Sequence, residues 1–178
     1  MKVSDFVTLI KQSSCRRVLY HFTDNANLPF VRKHGLLSKA SQDALGLQCP
    51  RPGGDSTSRF SDRTKGVFDD VSLSMTDNHQ MAYICRNTGR HVDQYYLHID
   101  PDVLLLPGVR IANAMANAST TQILPLSMGL YGLDLEVLYS RQVWSEEIRI
   151  RLNIARKYEI LIPKNVPREY ILKSVKVT

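Results

Sequence analysis

One segment near the start of the chain constrains the fold more than any other. Leu19-Tyr20-His21-Phe22-Thr23 reads as a short apolar strand ending in a histidine and a threonine, and a well-bounded helix follows almost at once. Asn25-Ala26-Asn27-Leu28 leads into Pro29, and Phe30-Val31-Arg32-Lys33-His34 stops at Gly35. Proline suits the first helical turn because its missing N–H is not needed there, and glycine suits the turn that closes a helix. A strand that hands a histidine and a polar loop to a helix N-terminus builds a place for a sugar–phosphate ligand. Free N–H groups and the helix dipole favour anions there. The same segment also fits a plain strand–loop–helix unit whose histidine is satisfied in the core.

At 178 residues the chain can bury a core without staples, and residues 1–178 are expected to form one domain. A net charge of +6 permits a polyanionic partner without requiring one. Cys15, Cys49 and Cys85 are odd in number, far apart and in no CxxC pair, so neither a disulfide framework nor a metal site is expected. Met1-Lys2-Val3-Ser4-Asp5 carries no signal-like apolar core, and no apolar run approaches the roughly 18 residues of a membrane span. A cytoplasmic protein with no membrane partner is expected.

Ser4 can cap a first helix with Phe6, Val7, Leu9 and Ile10 on one face. From Ser38 to Lys65 the chain turns polar and is broken by proline and glycine, reading as a long flexible loop that carries Arg51, Arg59, Arg63 and Lys65. Val67–Met75 reads as a strand, with Asp77 and Gln80 at capping-box spacing before a helix containing Met81, Ala82, Tyr83 and Ile84. Tyr95–Ile99 is a further strand, and Leu133–Tyr139 has weak helical spacing. Ile148, Ile150, Leu152 and Ile154 alternate with polar residues, which favours a strand, although Ser145-Glu146-Glu147 equally suits a helix start. Glu159-Ile160-Leu161-Ile162-Pro163 is an apolar run led by a carboxylate, and Val175 and Val177 share a face of a last strand. Strands mixed with short helices, without regular βαβ alternation, indicate an α+β fold.

His21, Tyr83 and Glu159, in that order and on those elements, resemble the His–Tyr–Glu arrangement of the ADP-ribosyltransferase superfamily. Three blocks narrow the resemblance. Leu19–Thr23 with Asn27-Leu28 and His34–Ser38, Gly66–Val71 with Met81–Ile84, and Lys157–Ile162 with Val166-Pro167 are similar to the DarT family of DNA ADP-ribosyltransferase toxins. The resemblance implies an α+β fold with a split mixed β-sheet flanked by short helices, and NAD as the ADP-ribose donor. It also implies single-stranded DNA as acceptor, and a cognate antitoxin that removes the ADP-ribose. Ser72-Leu73-Ser74-Met75-Thr76-Asp77-Asn78-His79 lacks the aromatic- and proline-rich stretch of the thymidine-modifying branch, which points to guanine as the favoured base, with thymine the other candidate.

By that resemblance Glu159 would place negative charge beside the ribose as nicotinamide leaves. Glu146 and Glu147 are its rivals. His21 would bond a ribose hydroxyl, with Thr23 and the adjacent backbone at Phe22 holding other polar groups of NAD, and Asn27 matches a polar position of the family's first block. Tyr83 would stack on nicotinamide, and Ser72 and Ser74 would flank the pocket floor. An arginine before the middle strand would grip the pyrophosphate and take part in catalysis: Arg59 first, then Arg51 and Arg63. For the acceptor, Arg149 and Arg151 on one strand face, with Arg156 and Lys157, would hold phosphates, and Tyr158 would stack on a base. Each of these side chains also has a structural or solvated reading. The competing functions are an NAD-dependent transferase acting on RNA or protein, RNA 2′-phosphotransfer included, and a non-catalytic nucleic-acid-binding module.

Overall fold

The early strand and the helix behind it form where their boundary residues put them. In a computed structural model describing residues 1–177, helix α1 (Val3–Gln12) precedes strand β1 (Leu19–Asp24), and helix α2 (Leu28–His34) follows a single 3-10 turn. Pro29 lies in the first turn of α2, and Gly35 closes it at φ 74°. A Cβ at Gly35 would sit 2.5 Å from the Val166 carbonyl oxygen, so only glycine lets the chain pass here. Helix α1 begins before Ser4, with the Asp5 carboxylate accepting the Lys2 N–H at 3.3 Å.

Beyond α2 come β2 (Leu36–Leu37), α3 (Lys39–Ala44), α4 (Ser56–Thr64), β3 (Asp70–Ser74), α5 (Gln80–Asn87) and β4 (Gln94–Ile99). The second half holds β5 (Arg110–Ala112), β6 (Ile123–Pro125), α6 (Leu126–Gly129), α7 (Leu135–Tyr139) and α8 (Glu146–Ala155). It ends with β7 (Glu159–Pro163), β8 (Asn165–Val166) and β9 (Ile171–Lys176). Two expectations fail here. The 38–65 segment is not a long loop: Ser38 and Asp55 cap two helices, each accepting an N–H three residues on. Residues 146–155 are helical, with Ser145 as N-cap; Ile148, Leu152 and Ala155 pack on the core while Ile150 and Ile154 stay exposed.

Seven strands form one sheet in the order β6-β5-β7-β3-β1-β4-β9, and β2 pairs with β8 apart from it. The α+β fold is as expected, but every pairing is antiparallel rather than mixed. The split lies in the middle. β1 meets β3 through one register pair, Tyr20 opposite Ser74, so the sheet parts beyond that pair. Strand β7 is central and covered on both sides: Ile160 and Ile162 enter the main core with Phe6, Ile10, Leu73 and Leu138, whereas Leu161 packs with Val67, Ala112 and Ala116. Because strand side chains alternate, Glu159 shares the face of Leu161 and not that of the main core.

Candidate active site

Where β1 and β3 part, a cavity of about 860 Å³ opens, within the usual range for small-molecule sites of roughly 300–1,000 Å³. Glu159 lines it from the start of β7, and His21 lines it from β1. Glu159 sits opposite Ser74 on one side and Ala112 on the other. It is 7% exposed, and the carboxylate is fixed by its neighbours. Oε2 accepts the Ala116 N–H at 3.1 Å, and Oε1 lies 3.2 Å from His79 Nε2 in an off-axis contact. The rivals Glu146 and Glu147 are exposed at the start of α8, away from the cavity.

Two histidines of the cavity are set in opposite tautomers by the backbone. His21 Nδ1 lies 3.0 Å from the Ser72 carbonyl, which can only accept, so Nδ1 carries the hydrogen and Nε2 is left as acceptor. Burial pushes the His21 pKa down, further than the Ser72 carbonyl lifts it, which keeps the ring neutral near pH 7. His79 is the reverse. Its Nδ1 accepts the Met81 N–H at 3.3 Å and caps α5, so the hydrogen is on Nε2, toward Glu159. The expected cap at Asp77 is thus displaced by His79. Phe22 lies near-parallel to both rings, at 6.0 and 6.2 Å. A third histidine, His91, is buried and also lines the cavity, with neither ring nitrogen partnered among the described residues, and burial lowers its pKa.

Asn27 and Thr23 line the cavity but are bound into the protein. The Asn27 amide donates to Thr23 Oγ1 at 3.0 Å and to the Arg51 carbonyl at 2.7 Å, and its oxygen accepts the Arg51 N–H at 2.8 Å. Cys85 Sγ and Arg90 each hold the Gly53 carbonyl at 3.2 Å. The 51–54 stretch is therefore a fastened wall and not a flexible loop. Ser72 faces the cavity, while the Ser74 hydroxyl is used up donating to the Thr76 carbonyl at 2.7 Å.

Of the candidate arginines only Arg59 lines the cavity. Its guanidinium pairs with Asp43 at 2.6 Å and lies over the Phe68 ring, which Arg63 also covers. Arg51 does not line the cavity, and its guanidinium lies 3.9 Å from the buried Asp24 carboxylate. Lys39, which the sequence did not single out, also lines the cavity and pairs with Asp62. Its signal was a cation directly behind the Ser38 cap.

The remaining candidates are placed elsewhere. Tyr83 is 68% exposed and is not part of the cavity, because the buried face of α5 runs through Ala82 and Cys85. Arg149 and Arg151 share no strand face, since α8 is a helix. Arg149 pairs with Glu146 at 2.8 Å, and Arg151 with Asp134 and Glu136 at 2.7 Å each. The Tyr158 hydroxyl donates to the Gly132 carbonyl at 3.0 Å and its ring packs on the core, so it is not free to stack on a base. Arg156 is half-buried and Lys157 exposed, both outside the cavity. Among the described residues no group of three or more His, Cys, Asp or Glu side chains is placed to hold a metal ion, and no helix is long and apolar enough to cross a membrane.

A seven-stranded split sheet with a histidine and a carboxylate facing one cavity is the architecture of an ADP-ribosyltransferase, and the solved structures it resembles have that fold. A Thermosipho africanus DarTG structure in complex with ADP-ribose superposes with a TM-score of 0.72 at 18% identity, over 90% of this chain and 44% of that one. A Thermus sp. 2.9 DarT structure in complex with ADP-ribosylated ssDNA gives 0.65 at 16% identity, over 90% and 81%. The same Thermus protein in complex with NAD+ gives 0.58. The chain thus spans less than half of the Thermosipho chain. No curated protein matches it. The family model described as "ssDNA thymidine ADP-ribosyltransferase, DarT" matches residues 20–177. The chain belongs to the DarT family.

Proposed function

We propose that this chain transfers ADP-ribose from NAD to a base of single-stranded DNA and releases nicotinamide, with residues 1–178 acting as one domain. The reading is carried by Glu159, a buried carboxylate fixed at the head of β7 in the same cavity as His21. When the bond between ribose C1′ and the nicotinamide nitrogen breaks, the electron pair leaves with nicotinamide and positive charge grows on the ribose. A carboxylate already held beside the ribose stabilises that charge with little reorganisation. A nitrogen of the acceptor base then supplies the pair for the new bond to C1′, and its proton passes to solvent water.

The cavity suits NAD in chemistry as well as size. His21 Nε2 accepts a hydrogen bond from a ribose hydroxyl, and the Ser72 hydroxyl stands beside it. Arg59 grips the pyrophosphate by exchanging the Asp43 carboxylate for phosphate oxygens. A base inside a duplex cannot present its pairing edge, so the acceptor strand is single. Thymine is the base named in the family's description, and guanine is favoured by the departure at 72–79. In the cell the protein is the toxin of a toxin–antitoxin pair, acts in the cytoplasm, and is reversed by an antitoxin that removes ADP-ribose.

The test is mass spectrometry of thymine-rich and guanine-rich oligonucleotides after incubation with NAD. Adducts should form with the wild type, with the better substrate naming the base, and should vanish with Glu159→Gln. Label passing from NAD to RNA or protein while both oligonucleotides stay blank would overturn the DNA acceptor. Oligonucleotide binding with no mass gain, indifferent to Glu159→Gln, would leave only the binding module.

A further inference from the structure

We infer that His79 is a positioning residue for the Glu159 carboxylate, which its Nε2–H holds in the orientation that the ribose requires. The inference rests on Glu159 being the reacting carboxylate. His79 lies on the turn before α5 and Glu159 at the head of β7, so nothing in local structure forces them together. Both are buried, and they are 3.2 Å apart. One carboxylate oxygen is already tied to the Ala116 N–H, and the other has His79 Nε2 as its close neighbour.

The direction of the contact is set by the backbone. The Met81 N–H occupies Nδ1, so the ring's hydrogen sits on Nε2 and can only be offered to an acceptor. The Phe22 ring, inclined by 13°, restrains the imidazole plane. The present contact is off-axis, and Nε2 has no aligned acceptor among the described residues. A small rotation of the Glu159 carboxylate onto bound ribose completes the bond; hydrogen bonds of this kind commonly tighten only in the substrate complex.

His79 also caps α5, and two variants separate the roles. In His79→Asn the shorter amide oxygen can still accept the Met81 N–H, since asparagine is among the best helix caps, but the side chain stops short of Glu159. In His79→Gln an amide N–H reaches the Nε2 position and the cap is poor. Positioning predicts that His79→Asn lowers kcat on the order of 10²-fold. KM for NAD and Tm should stay near wild type, and His79→Gln should recover about tenfold of the loss. Wild-type kcat in His79→Asn, or a His79→Gln no faster than it, would overturn the inference. Glu159→Gln is run in parallel. If that variant is inactive while His79→Asn keeps its kcat, the His79 role alone falls; if Glu159→Gln itself keeps the wild-type rate, the reading of Glu159 falls first.

Discussion

Asn27 and Tyr139 are both buried, and they stand at opposite ends of hydrogen-bond satisfaction. Asn27 uses both ends of its amide on Thr23 and the Arg51 backbone, whereas the Tyr139 hydroxyl finds no partner among the described residues. Leaving a buried donor or acceptor unpaired costs about 1–3 kcal/mol. Asn27→Ala should therefore destabilise by about that amount and loosen the 51–54 wall, read as a lower urea midpoint and faster proteolysis there. Tyr139→Phe should leave Tm unchanged or raise it; a clear fall would mean that the hydroxyl is bonded. At this scale the placement of His21, Asn27 and Glu159 on the cavity wall was legible, because a strand end, a polar loop and a carboxylate leading an apolar run are local patterns. His79 was not, since what makes it matter is a carboxylate 80 positions away, brought up by the β3–β7 register. Tyr83 misled for the same reason in reverse: its helix is local, but the face it turns outward is decided by packing.

Helix α8 shows how an element can be misread from its period. Four aliphatic residues two apart suggest a strand, but Ile150 and Ile154 are exposed and only Ile148 and Leu152 pack on the core. The informative signal was the cap, Ser145 followed by two acidic residues in the first turn. Helices α3 and α4 were missed because they are polar. Helix α4 buries only Asp62, and ion pairs from Lys39 to Asp62 and from Arg59 and Arg63 to Asp43 hold the two together. In the same way Arg151 joins α8 to Asp134 and Glu136 around α7. Arg151→Ala should lower Tm while leaving the affinity for single-stranded DNA and its salt dependence unchanged. A flatter slope of log affinity against log salt would restore a phosphate contact to this residue.

The whole molecule's response to pH follows from groups that folding has shifted. Burial lowers the pKa of His21, His91 and His98, each from an ordinary value of 6.5. Below 6.5 the unfolded chain therefore binds these protons first, and stability falls as pH drops through and below that value. Burial would raise Asp24, but the N–H groups of Ala26, Val92 and Asp93 outweigh it and hold its carboxyl below 3.8, so its contribution is lost only in stronger acid. At the alkaline end burial raises the Cys49 and Cys85 thiols from 9.0, raises Tyr20 from 10.0 and pushes Tyr96 up to about 12, so the unfolded chain gives up these protons first, the thiols above 9 and the tyrosines above 10. Tm should accordingly be flat between about pH 6.5 and 9 and decline on both sides. The acid limb can be assigned. His98 touches the ring of Tyr20 at 5.3 Å and does not line the cavity, so His98→Gln should flatten part of that limb and leave transfer unchanged. Loss of Tm beginning only near pH 4 would show that the three histidines titrate alike in the folded and unfolded chain. In that case burial would not be holding His21 neutral, and near pH 7 the protonated fraction of its ring could not accept through Nε2.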